Sequence, residues 1–412
     1  MRYFKVTLLI GSLVVFGVTI LIEGGVFGSV ERLLLHGAPP VPNRAVLYPL
    51  LVLFAYGIAW TTIDIPRVSL KAVIATGAFV QVLAMVLILP LYGVFFSPFA
   101  SLIAILCSFA GGLLYSRSEA GSRKRVMRQI LGDRVSTKTF YALLNGPAPL
   151  NLEGERRDIS ILVCEIFNHD DLEASLTAPD YVALTNSFRR NAADFLVERG
   201  GYLDECDGES LRVVFGAPLA NLDHARTACE AALALTERLD EVNAECHGVW
   251  KQMFDFRIGV NSGEMVIAAY GSNRLGTFSV AGEPVEFARR LCRANLIYGS
   301  RILLGTNTFQ ISETHVEVRP MELIQRYDDG SREEIYELLA LGDVLSFEDL
   351  ERRDLFWQGV ICYREQLWDD ALGLFHSARS GSGADGPVEF YIRRIEQLRA
   401  GTPALDWTTA RL

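Results

Sequence analysis

The chain divides by the rhythm of its apolar residues. Segments 6–22 and 45–63 carry no charge, and neither does the longer run over 72–116. One bilayer crossing takes roughly 20 apolar residues. The long run therefore holds two crossings, with Pro90 and Pro98 bracketing the turn between them. Residues 1–116 are expected to form four membrane helices. Arg2 and Lys5 ahead of the first run also fit a secretion signal, but the length of the run and the spans after it favour a retained anchor.

From residue 117 the rhythm changes. Segment 118–144 predicts an amphipathic helix with Val126, Ile130 and Leu131 on one face, ended by Gly146-Pro147-Ala148-Pro149. Residues 117–156 are thus a basic linker. Over 157–342 strands and helices alternate. A compact β run covers 159–164. A long helix over 178–199 carries Tyr181, Leu184, Phe188, Ala192 and Phe195 at helical spacing. A hairpin turns at Asp207-Gly208, and its second strand runs over 211–215. An Ala-rich helix covers 223–242. Strands over 254–260 and 265–269 are separated by Asn261-Ser262-Gly263-Glu264. A helix over 284–294 and strands over 301–304 and 334–339 follow. Mixed order with adjacent hairpins predicts an α+β sandwich, not a doubly wound sheet.

Residues 343–412 read as an all-α tail. Trp357, Gly359, Tyr363, Ala371, Phe375 and Ala378 approximate a tetratricopeptide helix pair, although an ordinary packed αα-hairpin fits the single copy equally well. Such a tail offers a surface for a protein partner.

Charge and cysteine content narrow the classes. The chain has 412 residues, half of them hydrophobic, and a net charge of −10. The basic residues cluster beside the spans: Arg2 and Lys5, then Arg67 and Lys71, then Arg117, Arg123, Lys124, Arg125 and Arg128. All fall on the inner side if the N-terminus is cytoplasmic, with Arg32 and Arg44 as exceptions in the first outer loop. That cluster suits membrane lipid headgroups. The remainder is acidic, which argues against a nucleic-acid partner. The seven cysteines form no C-x-x-C pair, so thiols in a reducing compartment are expected, and no zinc site.

Two carboxylates carry the candidate chemistry. Glu165 ends the 159–164 β run, and Glu209 follows Gly208 in the hairpin. Acids at neighbouring strand ends can hold divalent metal beside a nucleotide. Two solvent-facing acids are the plainer reading.

Over 156–341 the residues resemble the class III adenylate and guanylate cyclases. The resemblance rests on Gly208-Glu209, Phe215-Gly216-Ala217-Pro218, Asp223-His224-Ala225 and Arg257-Ile258-Gly259-Val260-Asn261-Ser262-Gly263-Glu264. The segment from Phe278 to Leu291, with Ser279-Val280-Ala281-Gly282-Glu283-Pro284-Val285-Glu286, and Tyr336-Glu337-Leu338 complete it. The membrane anchor, basic linker and helical tail look like bacterial members of that family. This implies a bacterial inner (plasma) membrane location with the N-terminus and the cyclase domain cytoplasmic. It also implies a ferredoxin-like βαββαβ domain and a head-to-tail homodimer or heterodimer with another cyclase chain. ATP or GTP would be converted to cAMP or cGMP with two Mg²⁺ or Mn²⁺ ions.

By that resemblance Glu165, the Ile166 carbonyl and Glu209 fall on the metal positions, where the family has Asp at both carboxylates. Glu205 and Ser279 fall on the base-selecting positions; a Glu there leans towards guanine. Arg290 matches the transition-state Arg, and Glu286 replaces the ribose-orienting Asn. Tyr327 replaces a phosphate-binding Lys, with Asp328 and Asp329 after it. Asn168-His169-Asp170-Asp171 replaces a Gly-Phe-Thr turn beneath the phosphates. Glu286 precedes Arg290 by one helical turn and is its expected partner. Fold-determining residues that match the family pattern, with an inverted charge pattern in the site, imply a regulatory pseudoenzyme. The alternatives are an active, atypical, Mn²⁺-preferring cyclase and a membrane scaffold acting through the tail.

Overall fold

The computed structural model describes residues 2–29, 43–65, 68–94, 97–117, 126–146, 150–272, 275–325, 332–342, 344–379 and 385–401. They fall into two compact units, 1–128 and 129–412.

The first unit contains helices α1 (Arg2–Glu23), α2 (Arg44–Asp64), α3 (Val68–Ile88) and α4 (Pro98–Arg117). Four helical stretches, Phe4–Glu23, Arg44–Asp64, Ser69–Tyr92 and Pro98–Ser116, are long and apolar enough to cross a membrane. Leu51, Ala55, Ile58, Ala104 and Ile105 are buried between them, while Leu13, Phe16, Leu53 and Leu87 face outward. Small residues set the spacing: Gly11 lies under the Tyr56 ring and Gly112 against Thr62. At one end Glu23 accepts from Arg44 at 3.1 Å and from the Tyr48 hydroxyl at 2.5 Å.

The second unit opens on the linker. The continuous helix expected over 118–144 does not form across its described part. Residues 126–131 are helical, the chain then breaks at Gly132 (φ +55°), and α5 (Thr137–Asn145) starts afresh with Ser136 as its N-cap. The cap explains the break, because the Ser136 hydroxyl accepts from the Thr139 N–H and so starts a new helix.

The elements that follow are β1 (Glu155–Ile166), α6 (His169–Ser175), α7 (Ala178–Glu198), β2 (Tyr202–Cys206), β3 (Ser210–Phe215), α8 (His224–Trp250), β4 (Phe256–Ser272), β5 (Leu275–Ala281), α9 (Glu283–Tyr298), β6 (Ile302–Leu304), α10 (Thr306–Ser312), β7 (Val316–Gln325), β8 (Arg332–Leu341), α11 (Phe347–Arg364), α12 (Trp368–Ala378) and α13 (Gly386–Arg399). The strands form one mixed sheet in the order β2-β3-β1-β4-β6-β8-β7, with β5 paired to β4. This is the expected α+β architecture.

One expectation fails at β4. Asn261-Ser262-Gly263-Glu264 makes no turn; a single strand runs through it, paired with Ile161-Ser160-Ile159-Asp158 of β1. The polar residues do not break the strand because their partners lie within the fold. The Ser262 hydroxyl is 2.6 Å from that of Ser160 and 2.9 Å from that of Thr308, and Asn261 donates to the Pro284 carbonyl.

Alternation along the strands sends side chains to two cores. On one face Leu162, Val213, Val260 and Leu304 pack against α7 and α8 through Leu184, Phe188, Leu235 and Leu239. On the other, Leu303, Met321, Ile324 and Ile335 pack against Leu291 and Tyr298 of α9 and against Phe356, Val360, Phe375 and Tyr391 of the tail. The tail positions singled out in the sequence face inward, with Gly359 under the Phe375 ring and Ala371 and Ala378 buried. The tail helices therefore share a core with the sheet.

Candidate functional site

Helix α9 lies close on β4 because Gly259 has no side chain. A Cβ there would sit 2.2 Å from the Ala288 carbonyl oxygen and 2.4 Å from the Cys292 nitrogen. Asn295, fully buried, donates to the Ile258 carbonyl, and the Cys292 thiol donates to that of Arg257. The helix is thus fixed, and its polar face is presented to the ends of β1, β2 and β3.

A cleft of about 480 Å³ opens there, lined by Glu165, Ile166, Phe167, His169, Glu205, Asp207, Glu209, Ser210, Arg289 and Arg293. Pairing of β1 with β3 places Glu165 opposite Ser210, and the Ile166 N–H donates to the Glu209 carbonyl at 2.8 Å. The Asp207 carboxylate caps the hairpin by accepting from the N–H groups of Glu209 and Ser210.

Each predicted site residue has a definite place. Glu165, Ile166, Glu205 and Glu209 come together in this cleft. Glu165 is buried and accepts from Arg293 Nε at 3.2 Å. Glu205 lies 3.0 Å from Arg212 and 3.8 Å from Arg289. Glu209 is half exposed and 3.6 Å from His169 Nε2, which also lies 3.2 Å from Asp170. Ser279 does not line the cleft. Its hydroxyl donates at 2.6 Å to the buried Asp204 carboxylate, whose other oxygen accepts from Arg212 at 2.5 Å. Tyr327, Asp328 and Asp329 lie outside the described residues.

Arg290 and Glu286 are not in the lining of this cleft either. The pairing expected between them does not form. Arg290 donates to Glu283 at 3.0 Å, and Glu286 instead lies 3.6 Å from Arg289. Glu283 lines a second cleft of about 420 Å³ with Arg156, Asn261, Glu264, Asn307 and Glu333.

The sequence reading missed Arg289 and Arg293. Their signal was present: two arginines four residues apart on one helix present one face.

Among the described residues no group of three His, Cys, Asp or Glu side chains is gathered in a way that could hold a metal. One oxygen of Glu165 already accepts from a guanidinium. As arranged, these residues do not fit the two-ion site that the resemblance implies. The cleft can take a cation or a polar group at Glu209 and Asp207. An anion would meet four carboxylates against two guanidiniums.

Residues 153–323 match the family model described as the adenylate and guanylate cyclase catalytic domain. "Adenylate cyclase 1" of Rhizobium meliloti is 23% identical over 186 residues, covering 45% of this chain and 28% of its own length. An uncharacterized protein of Mycobacterium tuberculosis is 29% identical over 198 residues, covering 48% of this chain and 33% of its own. The chain thus spans about a third or less of these curated relatives. Among solved structures, the guanylyl cyclase Cya2 aligns with 47% of this chain and 97% of its own at 26% identity and a TM-score of 0.43. Residues 153–323, whose strands make up most of this mixed sheet, thus form a domain of the adenylate and guanylate cyclase catalytic type.

Proposed function

We propose that this chain is a membrane-anchored protein of cyclic nucleotide signalling whose own cleft does not turn nucleotide over. It acts through dimerisation, as a homodimer or with a competent cyclase chain, from the cytoplasmic side of a bacterial inner membrane. The four apolar helices and the basic residues beside them support the anchoring. The single observation that carries the reading is the partner of Glu165. The family normally uses Mg²⁺ or Mn²⁺, and here the acid at the first metal position is held by Arg293.

A triphosphate brings several negative charges to a cleft already rich in carboxylates. Without bound cations its entry is opposed in sign. The test uses the full chain in detergent micelles with Mn²⁺ and ATP or GTP, alone and mixed with a competent class III cyclase. The expected result is no cyclic nucleotide from the chain alone, and co-elution with the competent chain or with itself as a dimer. Sustained production by the chain alone that disappears in Glu209→Ala overturns the reading. It would favour the second one, an active Mn²⁺-preferring cyclase, for which the observation is that Glu165 and Glu209 line one cleft.

A further inference from the structure

We infer that Arg293 is a resident counter-cation of the cleft, standing at Glu165 in place of a divalent ion, while Arg289 faces Glu205 beside Arg212. The inference rests on the nucleotide-type reading of the cleft given above.

Three observations support it. First, the two arginines are one helical turn apart on α9, yet each reaches a different strand, Glu165 on β1 at 3.2 Å and Glu205 on β2 at 3.8 Å. Second, the helix cannot retreat with them, because Gly259, Cys292 and Asn295 fix its backbone on β4. Only the side chains can leave. Third, the pair at Glu165 is asymmetric: the acid's side chain is 10% exposed and the arginine's 64%. A mostly buried carboxylate is costly without a cation, whereas an exposed arginine loses little when displaced.

The arginine therefore does two things to an incoming divalent ion. It occupies an oxygen that the ion needs, and it repels the ion. At about 5 Å in a water-like dielectric, one unit charge against a divalent ion amounts to about tenfold in affinity. Arg293 is in this sense a specificity-determining residue of the cleft: it sets whether the acids accept a metal.

The experiment titrates the full-length chain in detergent micelles with Mn²⁺ and reads free Mn²⁺ by electron paramagnetic resonance. Wild type, Arg293→Gln, Arg293→Lys and Arg293→Gln combined with Glu165→Gln are compared, with circular dichroism confirming the fold of each. Mn²⁺ should bind about tenfold more tightly to Arg293→Gln than to wild type. Arg293→Lys should stay near wild type, and adding Glu165→Gln should abolish the gain. Equal affinity in wild type and folded Arg293→Gln, including no binding in either, overturns the inference. So does a gain that survives without Glu165. Turnover of nucleotide by the wild-type chain bears on the proposed function and not on this titration, so the two can fail separately.

Discussion

Among the arginine–carboxylate pairs of the described residues, two sets differ in how much water reaches them. Between the tail and strands β7 and β8 the pairs at Arg319 and Arg394 are largely buried and the one at Arg364 is half-buried. Arg319 donates to Glu337 at 2.6 Å and to both oxygens of Asp385 at 2.8 Å, while its guanidinium lies 4.6 Å from the centre of the Phe356 ring. Arg394 meets Glu322, and Arg364 meets Glu334, each at 2.5 Å. In the cleft Arg293 is open to solvent and Arg289 is half-buried. Burial pushes the carboxyl groups of Glu322 and Glu337 up from the usual range, although their arginines pull the other way. The same chemistry thus locks one interface and leaves the other able to exchange partners. A buried pair that loses one member leaves an uncompensated charge, whereas an exposed pair falls back on water.

The largest effect follows at the locked interface. Arg319→Ala should destabilise the second unit by about 3–5 kcal/mol, because it strands Glu337 and Asp385 in the fold. Denaturant unfolding followed by the fluorescence of the tail tryptophans Trp357 and Trp368 reads this directly. A loss below 1 kcal/mol would mean that the tail is held by apolar contact alone.

A backbone contact comes next. Gly299 (φ +73°) closes α9 against Gly386 at the start of α13, where an added Cβ at Gly386 would lie 2.2 Å from the Gly299 carbonyl oxygen. Gly386→Ala should cost about 1–3 kcal/mol by overpacking. The same unfolding measurement checks it, and an unchanged midpoint would show that the helices can separate freely at this point.

Between the two cores runs a buried polar chain. His224 Nδ1 is 2.8 Å from the Ser160 hydroxyl, which continues to Ser262 and Thr308. Burial lowers the His224 pKa below its usual 6.5, against the opposing pull of Asp158 and Asp223. A base with a depressed pKa stabilises the fold fully above pH 6.5, and that contribution is lost as pH falls through the folded value. Wild type should therefore lose stability on acidification relative to His224→Asn, the gap between them narrowing from pH 7.5 to pH 5. Parallel pH profiles would remove the histidine from the explanation.

The smallest effect belongs to the cleft. Arg293→Gln should cost about 1–2 kcal/mol, well below Arg319→Ala, since the arginine is exposed although the Glu165 it leaves is mostly buried. Together with the Arg319→Ala loss, that small value would establish the contrast between the two sets. Equal losses at both positions would erase it.

Much of this architecture is readable from the chain. The uncharged runs mark the four apolar helices, and the turn at Asp207-Gly208 correctly joins β2 to β3. Local composition misleads where tertiary partners override it. Asn261-Ser262-Gly263 has turn chemistry, yet hydroxyl partners on β1 and α10 hold it in a strand. In the site, a strand end and a hairpin suffice to bring Glu165, Glu205 and Glu209 together. Which arginine meets which acid is not readable, because Glu283 and Glu286 both lie within reach of arginines on α9.

The most direct measurement is cyclic nucleotide formed by the purified full-length chain in micelles, supplied with Mn²⁺ and either ATP or GTP. If the cleft does not turn nucleotide over, formation should not rise above that of a heat-inactivated sample. Many turnovers per chain, abolished by Glu209→Ala, would contradict that claim.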